Sequence, residues 1–442
     1  MPNLTFKGGI FPPLFKKTTE DIRVKATALP KKVVIPLNQH FGETALAIVK
    51  NGDYVLTGQK IGEVRGNISS TIHSSISGIV RDIGPYNHPF INEPVLSIII
   101  ESDNKDNKIE TKKTHWDYFR YSHDELIKII QESGIVGMGG EGYLSNLKLA
   151  LSKEIDTCIL NGCESESYIT CDDRLMRENA GEIVEGLKIL MYILDVHKGF
   201  IAVEENKTEA IKALRKEVFT VPNITIKILK SKYPQGAQKQ LIKAVLNREA
   251  PSNVTSLDTG AVVWNVGTSY AIEQAVVKNM PLISRIVTVA GNDIKFPGNY
   301  NVRIGALVSD LLSQSGYVAS SAALQRPVKL IIGGAMKGTA QFTADIPIVK
   351  NTSGIIVIQQ EEKNIQYEFD PCIRCGRCID VCPMKLMPNF LSVYSENSLW
   401  GECGKLFPEE CIECGCCSYV CVAKRPMVQQ IKLAKGKVLG KQ

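Results

Sequence analysis

The chain has 442 residues, 44% hydrophobic and 22% charged, enough material for several cores at roughly 150 residues per domain. Fifty-two basic residues against 46 acidic ones leave a net charge of +6, a mild excess that gives no reason to expect a nucleic-acid partner. Thirteen cysteines follow a polar, Gly- and Pro-broken start with no signal-peptide core, which points to a reducing compartment and to metal binding rather than disulfides.

Residues 1–30 read as an arm, broken into short turns by Gly8, Gly9, Pro12 and Pro13. Such a segment either docks on a partner or stays solvated. Residues 31–105 read as short strands, with cores at 33–35 and 95–100 and turn signals at Asn51-Gly52-Asp53, Gly58-Gln59 and Ser77-Gly78. The stretches 51–61 and 73–80 resemble the barrel sandwich of lipoyl and biotinyl carrier domains. Those domains place a modified lysine on the hairpin between the two stretches. Residues 64–72 contain no lysine, so the module is read as structural.

Residues 106–115 are a charged linker, and Leu126, Ile127, Ile129 and Ile130 then take up helical spacing behind an acidic start. The loop Gly137-Met138-Gly139-Gly140-Glu141-Gly142 follows. It matches the letters of a dinucleotide fingerprint, but a helix precedes it where that motif needs a strand. A helix predicted at 146–153 offers free amides to a phosphate; a plain tight turn is the alternative. A strand at 157–160 leads into the acidic, small-residue loop 161–167, the kind of position where α/β sheets place ligands. Helices at 174–195, 208–217 and 237–246 alternate with strands at 199–203 and 225–229, which predicts a mainly parallel sheet covered by helices.

Near the carboxyl end, Cys372, Cys375 and Cys378 stand at two-residue gaps, with Cys382 after a three-residue gap. Cys411, Cys414, Cys417 and Cys421 repeat the spacing. This is the ligand run of two-cluster ferredoxins, in which the fourth cysteine serves the other cluster. It assigns Cys372, Cys375, Cys378 and Cys421 to one [4Fe–4S] centre, and Cys411, Cys414, Cys417 and Cys382 to the second. Structural zinc is the competing reading, although zinc ribbons usually set their cysteine pairs far apart. Cys158, Cys163 and Cys171 are read as inert buried thiols, Cys416 as packing beside the second cluster, His40 and His73 as satisfied turn residues, and 431–442 as a solvated basic tail carrying Lys432, Lys435, Lys437 and Lys441.

Over nearly its whole length the chain resembles the C subunits of Rnf complexes, membrane-bound ferredoxin:NAD oxidoreductases, which are themselves similar to the flavin- and NADH-binding subunit of respiratory complex I. The resemblance rests on Gly8-Gly9-Ile10-Phe11-Pro12-Pro13, Tyr233-Pro234-Gln235-Gly236-Ala237, Asn265-Val266-Gly267-Thr268, Gly333-Gly334-Ala335-Met336 and the second cysteine run. It implies an FMN site with Gly137, Gly139, Gly140 and Gly142 along the flavin, Lys148 on the phosphate, and Asn161, Glu164, Glu166, Asn265 and Thr268 as polar contacts. The family usually has Ala-Gly-Phe-Pro-Thr where this chain has Glu141-Gly142-Tyr143-Leu144-Ser145, and Glu where it has Gln238.

The fold so implied is multidomain α/β and β. It comprises the arm 1–30, a lipoyl-like barrel sandwich 31–105, a Rossmann-like α/β flavin domain 116–283, an SLBB β-grasp domain 284–365, a ferredoxin-like domain 366–430 with two [4Fe–4S] clusters, and the tail 431–442. The implied activity is electron exchange between NAD(H), FMN and the two clusters, with no acid–base residue required. The implied place is peripheral, on the cytoplasmic face of a bacterial inner membrane. Membrane contact would run through the other Rnf proteins, some integral and one ferredoxin-like. An iron–sulfur relay without flavin, or a partner of a soluble reductase, are the alternatives.

Overall fold

The computed structural model describes residues 4–66, 68–110, 117–140, 142–150, 154–251, 255–317, 328–359 and 369–440. Glu141, the end of the predicted helix at 151–153, part of the linker (111–115) and Lys441 lie outside the described residues.

Two small antiparallel sheets face each other in the first module. Lys32–Pro36, Val95–Ser102, Gly78–Tyr86 and Tyr54–Val55 lie side by side in that order, and Leu46–Ala47, Lys60–Glu63 and Ile72–His73 form the second sheet. Between them Val33, Ile35, Ile61, Ile72, Ile98 and Ile100 are fully buried. The period-2 alternation of the strands puts these β-branched side chains on one face.

The α/β unit is a four-stranded, all-parallel sheet in the spatial order Ile224–Leu229, Gly199–Glu204, Thr157–Gly162, Ala261–Asn265. In chain order that is 3-2-1-4, so the direction of winding reverses between Thr157–Gly162 and Ala261–Asn265. Ligands of open α/β sheets sit at the carboxyl ends of the strands at such a switch point. The two strands pair so that Asn161 lies opposite Asn265 at their ends. The helix predicted at 174–195 is two helices, Cys171–Glu178 and Ala180–Ile193. Asn179 breaks it with φ −133°, in keeping with the preference of Asn for caps over helix interiors.

A six-stranded mixed sheet, Lys25–Ala26, Gly298–Arg303, Ser284–Gly291, Gly354–Gln359, Val328–Ile332 and Thr339–Gln341, packs against the helix Val308–Gln314. Its first strand comes from the arm. The arm is a strap across its own chain. Ile10 and Tyr233 exchange backbone hydrogen bonds of 2.9 Å, and the Gly9 N–H donates to the Val381 carbonyl at 2.8 Å. Gly8 sits at φ +86°, where a Cβ would come within 2.9 Å of the Cys382 carbonyl oxygen; only glycine combines that backbone with that approach.

The last unit packs the helices Pro388–Glu396, Trp400–Gly404 and Met427–Val438 around Leu391, Cys403, Met427, Ile431 and Ala434. The expected basic tail is thereby corrected. Residues 427–438 form a core helix, because Ile431 and Ala434 recur at helical spacing and are buried, while Lys432 and Lys435 meet Glu413.

Candidate functional site

The Gly-rich loop is closed by its own backbone. The Gly137 N–H donates to the Tyr143 carbonyl at 2.8 Å and the Gly142 N–H to the Gly137 carbonyl at 3.1 Å. The loop is held from outside at two points: the Met138 N–H donates to Thr268 Oγ1 at 3.0 Å, and the Phe41 N–H of the barrel sandwich donates to the Gly142 carbonyl at 2.9 Å.

Under this loop, at the switch point, lies a small cleft of about 60 Å³. Gly137, Gly139, Lys148, Asn161, Asn265 and Thr268 line it, as the sequence predicts. Gly236, Gln238, Tyr143, Val263 and Trp264 line it as well, and the sequence does not predict them as contacts. A signal exists for two of them, since the resemblance singles out Tyr233–Ala237 and the Gln238 position. For Trp264 the sole signal is its place beside Asn265.

Asn265 caps the 11-residue helix Val266–Val276, its Oδ1 accepting from the Gly267 N–H at 2.8 Å, while its Nδ2 donates to Asp172 at 2.7 Å. That helix therefore begins at the cleft. The helix that the sequence assigns to a phosphate is a single turn, Ser145–Leu149. Its Lys148 still reaches the cleft: Nζ donates to the Val263 carbonyl and lies 4.9 Å from the centre of the Trp264 ring. Asn161 is fixed by a 2.8 Å hydrogen bond to the Gly236 carbonyl. A Cβ on Gly236 would come within 3.2 Å of Asn161 Oδ1, so this wall is kept thin.

Gly140, Gly142, Glu164 and Glu166 do not line the cleft. Gly140 and Gly142 supply backbone, at φ +98° and +60°. The Glu164 carboxylate caps the helix Cys171–Glu178, accepting from the Asp172 N–H at 2.6 Å and the Asp173 N–H at 3.3 Å. Burial pushes the Glu164 carboxyl up to about 8, and the Lys16 ammonium beside it opposes that shift. Lys16, brought in by the arm, donates to the Glu164 carbonyl at 2.5 Å and lies 3.9 Å from its carboxylate. Glu166 turns the other way: its carboxylate accepts from the Met336 N–H at 2.9 Å and the Lys337 N–H at 3.2 Å, with the Tyr233 hydroxyl oxygen 3.4 Å away. Cys158, Cys163 and Cys171 are buried, and burial pushes their thiols up, which leaves them unreactive.

The eight cysteines of the two runs converge on two cavities. Cys372, Cys375, Cys378 and Cys421 line one, with Ile373, Val422, Ala423 and Met427. Cys382, Cys411, Cys414 and Cys417 line the other, with Met384, Leu386, Val428 and Ile431. Backbone N–H groups already face the sulfurs: Leu386 donates to Cys382 Sγ at 3.3 Å and Glu413 to Cys411 Sγ at 3.4 Å. Two apolar cavities, each walled by four thiols, the second with amides aimed at sulfur, fit iron–sulfur clusters. The lysine and the helix start at the cleft suit the phosphate of a flavin mononucleotide. Cys416 is fully buried with its Sγ 4.0 Å from the Tyr233 carbonyl, a packing residue.

Family models match the chain along most of its length: the RnfC barrel sandwich hybrid domain at 4–105, the Nuo51 FMN-binding domain at 130–274, the SLBB domain at 286–340 and the 4Fe-4S dicluster domain at 364–422. The flavin and cluster cofactors thus follow from the domains as well as from the cavities. The chain is 40% identical to the C subunit of the Na(+)-translocating ferredoxin:NAD(+) oxidoreductase complex of Acetobacterium woodii, over 98% of this chain and 97% of that one. It is 42% identical to the C subunit of the proton-translocating complex of Clostridium ljungdahlii, over 90% and 86%. The C subunit of the ion-translocating oxidoreductase complex of Rhodobacter capsulatus is 36% identical, over 100% and 85%. Among solved structures, an NAD+-reducing [NiFe]-hydrogenase aligns with a TM-score of 0.47 at 14% identity, covering 72% of this chain and 63% of that one. The chain belongs to the RnfC family, the C subunits of ion-translocating oxidoreductase complexes.

Proposed function

We propose that this chain is the subunit through which an ion-translocating ferredoxin:NAD+ oxidoreductase complex exchanges electrons with NAD(H), using FMN in the switch-point cleft and two [4Fe–4S] clusters in the thiol-walled cavities. FMN, when bound, supplies the exchange between a nicotinamide hydride and single electrons. The residues of the chain bind and orient. Lys148 and the helix start at Asn265 offer positive charge to an anionic cofactor. Gly139 and Gly236 keep the walls thin, and Thr268 and Phe41 brace the Gly loop. Cys372, Cys375, Cys378 and Cys421 ligate one cluster, and Cys382, Cys411, Cys414 and Cys417 the other.

The observation that carries the reading is the segment Tyr233–Gly236. Gly236 lines the flavin cleft, while the Tyr233 hydroxyl donates to the Cys414 carbonyl at 2.8 Å in the wall of the second cavity. Cleft and cavity are thus joined through four residues and one hydrogen bond, which supports the order flavin, then the Cys411–Cys417 cluster, then the Cys372–Cys378 cluster. No helix among the described residues is long and apolar enough to cross a membrane. On this reading, contact with the membrane runs through other members of the complex, integral and ferredoxin-like, on the cytoplasmic face.

The test is anaerobic purification followed by flavin, iron and sulfide assays and by NADH addition. Bound FMN with about eight iron atoms for two cubane clusters, and cluster paramagnetism appearing on NADH addition, are expected. Zinc in place of iron, or clusters that only dithionite reduces, would overturn the proposal.

A further inference from the structure

The two cysteine runs are an internal repeat, and their equivalent faces live in different surroundings. Aligned on the cysteines, Ile373 matches Ile412, Arg374 matches Glu413, Cys375 matches Cys414, Gly376 matches Gly415 and Arg377 matches Cys416. The backbones agree: φ is 58° at Arg374 and 56° at Glu413, 77° at Gly376 and 80° at Gly415. Each run then enters a short helix, Arg377–Asp380 or Cys416–Tyr419.

The second copy of this face is covered by the rest of the chain. Ile10, Tyr233 and Met336 pack on Cys414, Cys416 and Ile412, and Met336 Cε lies 3.3 Å from where a Gly415 Cβ would be. The first copy has no such cover among the described residues: nothing lies within 4 Å of a Cβ at Gly376. Ile373 is 66% exposed, and Cys375 is the one cysteine of the eight that is exposed. Where the covered copy places the small apolar Cys416 under Tyr233, the bare copy places Arg377.

We propose that the face formed by Ile373, Arg374, Cys375 and Arg377 is the docking site of an electron-transfer protein that presents an apolar side chain flanked by carboxylates and carries its own redox centre. This rests on the cluster reading above. It adds that the Cys372–Cys378 cluster is the one that meets the partner. The apolar part is Ile373 with Val422, 47% exposed in the wall of the same cavity. The charged part is Arg374, Arg377 and Lys424, all exposed, with the acids Asp370 and Asp380 in the same segments. None of these three cations has an ion pair among the described residues. An apolar centre with arginines around it is the composition of protein interfaces. Redox encounters are small, below about 1,200 Å², and are steered by complementary charge. A second copy of this chain fits poorly, since Arg374 and Arg377 would face their like.

The experiment uses the purified whole complex with a photo-crosslinking residue at Ile373, and a control with it at Phe219, which is 88% exposed on the α/β unit. A crosslink from position 373, and not from 219, to another protein of the complex is expected. A crosslink from 373 to a second copy of this chain or to lipid, or no crosslink, would overturn the proposal. This readout needs no cofactor, so it stands apart from the flavin and iron assays that judge the functional reading. In parallel, the double variant Arg374→Glu, Lys424→Glu should leave NADH-driven cluster paramagnetism in this chain intact while lowering ferredoxin-coupled turnover about tenfold. Unchanged turnover with the variant chain retained in the complex would also overturn it.

Discussion

The phenolic hydroxyl of Tyr233 reaches the carbonyl of Cys414 at 2.8 Å, with the ring 2% exposed. The same residue forms a backbone bridge with Ile10 of the strap. One residue thus ties flavin unit, cluster unit and arm together. Tyr233→Phe keeps the packing and leaves the Cys414 carbonyl without its donor, a loss of about 1–3 kcal/mol. We expect a lower melting temperature and slower appearance of the Cys411–Cys417 cluster signal after NADH addition, followed by freeze-quench spectroscopy. Equal rates in variant and wild type would show that the contact is not part of the relay.

The crossed placement of the fourth cysteines makes a second prediction. Cys382 lines the cavity of the later run and Cys421 that of the earlier one. Cys382→Ser should perturb the cluster held by Cys411, Cys414 and Cys417, and Cys421→Ser the one held by Cys372, Cys375 and Cys378. Spectra of the two variants after dithionite reduction should lose or shift complementary signals. If each substitution instead disturbs the cluster of its own run, the crossed assignment is wrong.

Legibility in the sequence follows the range of the interaction. The cysteine triplets are local, so their spacing alone brings the right thiols to each cavity, and the strand–helix alternation foretells the parallel sheet. Asn161 and Asn265 are legible through the resemblance, and the sheet then places them side by side. The role of Glu166 is not legible, because its carboxylate is taken up by amides 170 and 171 residues away. Neither is that of Trp264, on a strand that the alternation does not reach. The buried role of Lys16 depends on where the strap lands, which no local pattern encodes.

Lys16 and Glu164 form a buried pair between the strap and the acidic loop, with side chains 5% and 3% exposed. Removing one member of such a pair typically costs about 3–5 kcal/mol. Glu164 also sits in the left-handed region, φ +46°, so its loop depends on outside support. Lys16→Met should therefore lower the unfolding midpoint and the FMN content of purified protein. Well above pH 8, where the Glu164 carboxyl is ionised, adding Glu164→Gln to Lys16→Met should recover part of the stability, since the uncompensated carboxylate is then gone. Full stability in the single variant would mean that neighbouring Lys207 already neutralises the loop.

Lys350 makes the pH-dependent prediction. Its side chain is buried and Nζ donates to two carbonyls, Gly134 at 2.7 Å just before the Gly loop and Thr71 at 3.0 Å in the barrel sandwich. Two acceptors match the two N–H groups of a neutral amine. Burial accordingly pulls the ammonium down to about 7. Between pH 7 and the usual lysine value near 10.4, the unfolded chain binds a proton that the folded chain does not, so stability rises with pH across that window. The contribution is complete above the unfolded value and is lost as pH falls towards 7. At about 1.4 kcal/mol per pH unit, wild type should gain about 2–3 kcal/mol on Lys350→Met between pH 7 and 9. Denaturant unfolding of both proteins at several pH values measures it. A stability difference that stays flat over this range would place a charged lysine at 350 in the folded chain.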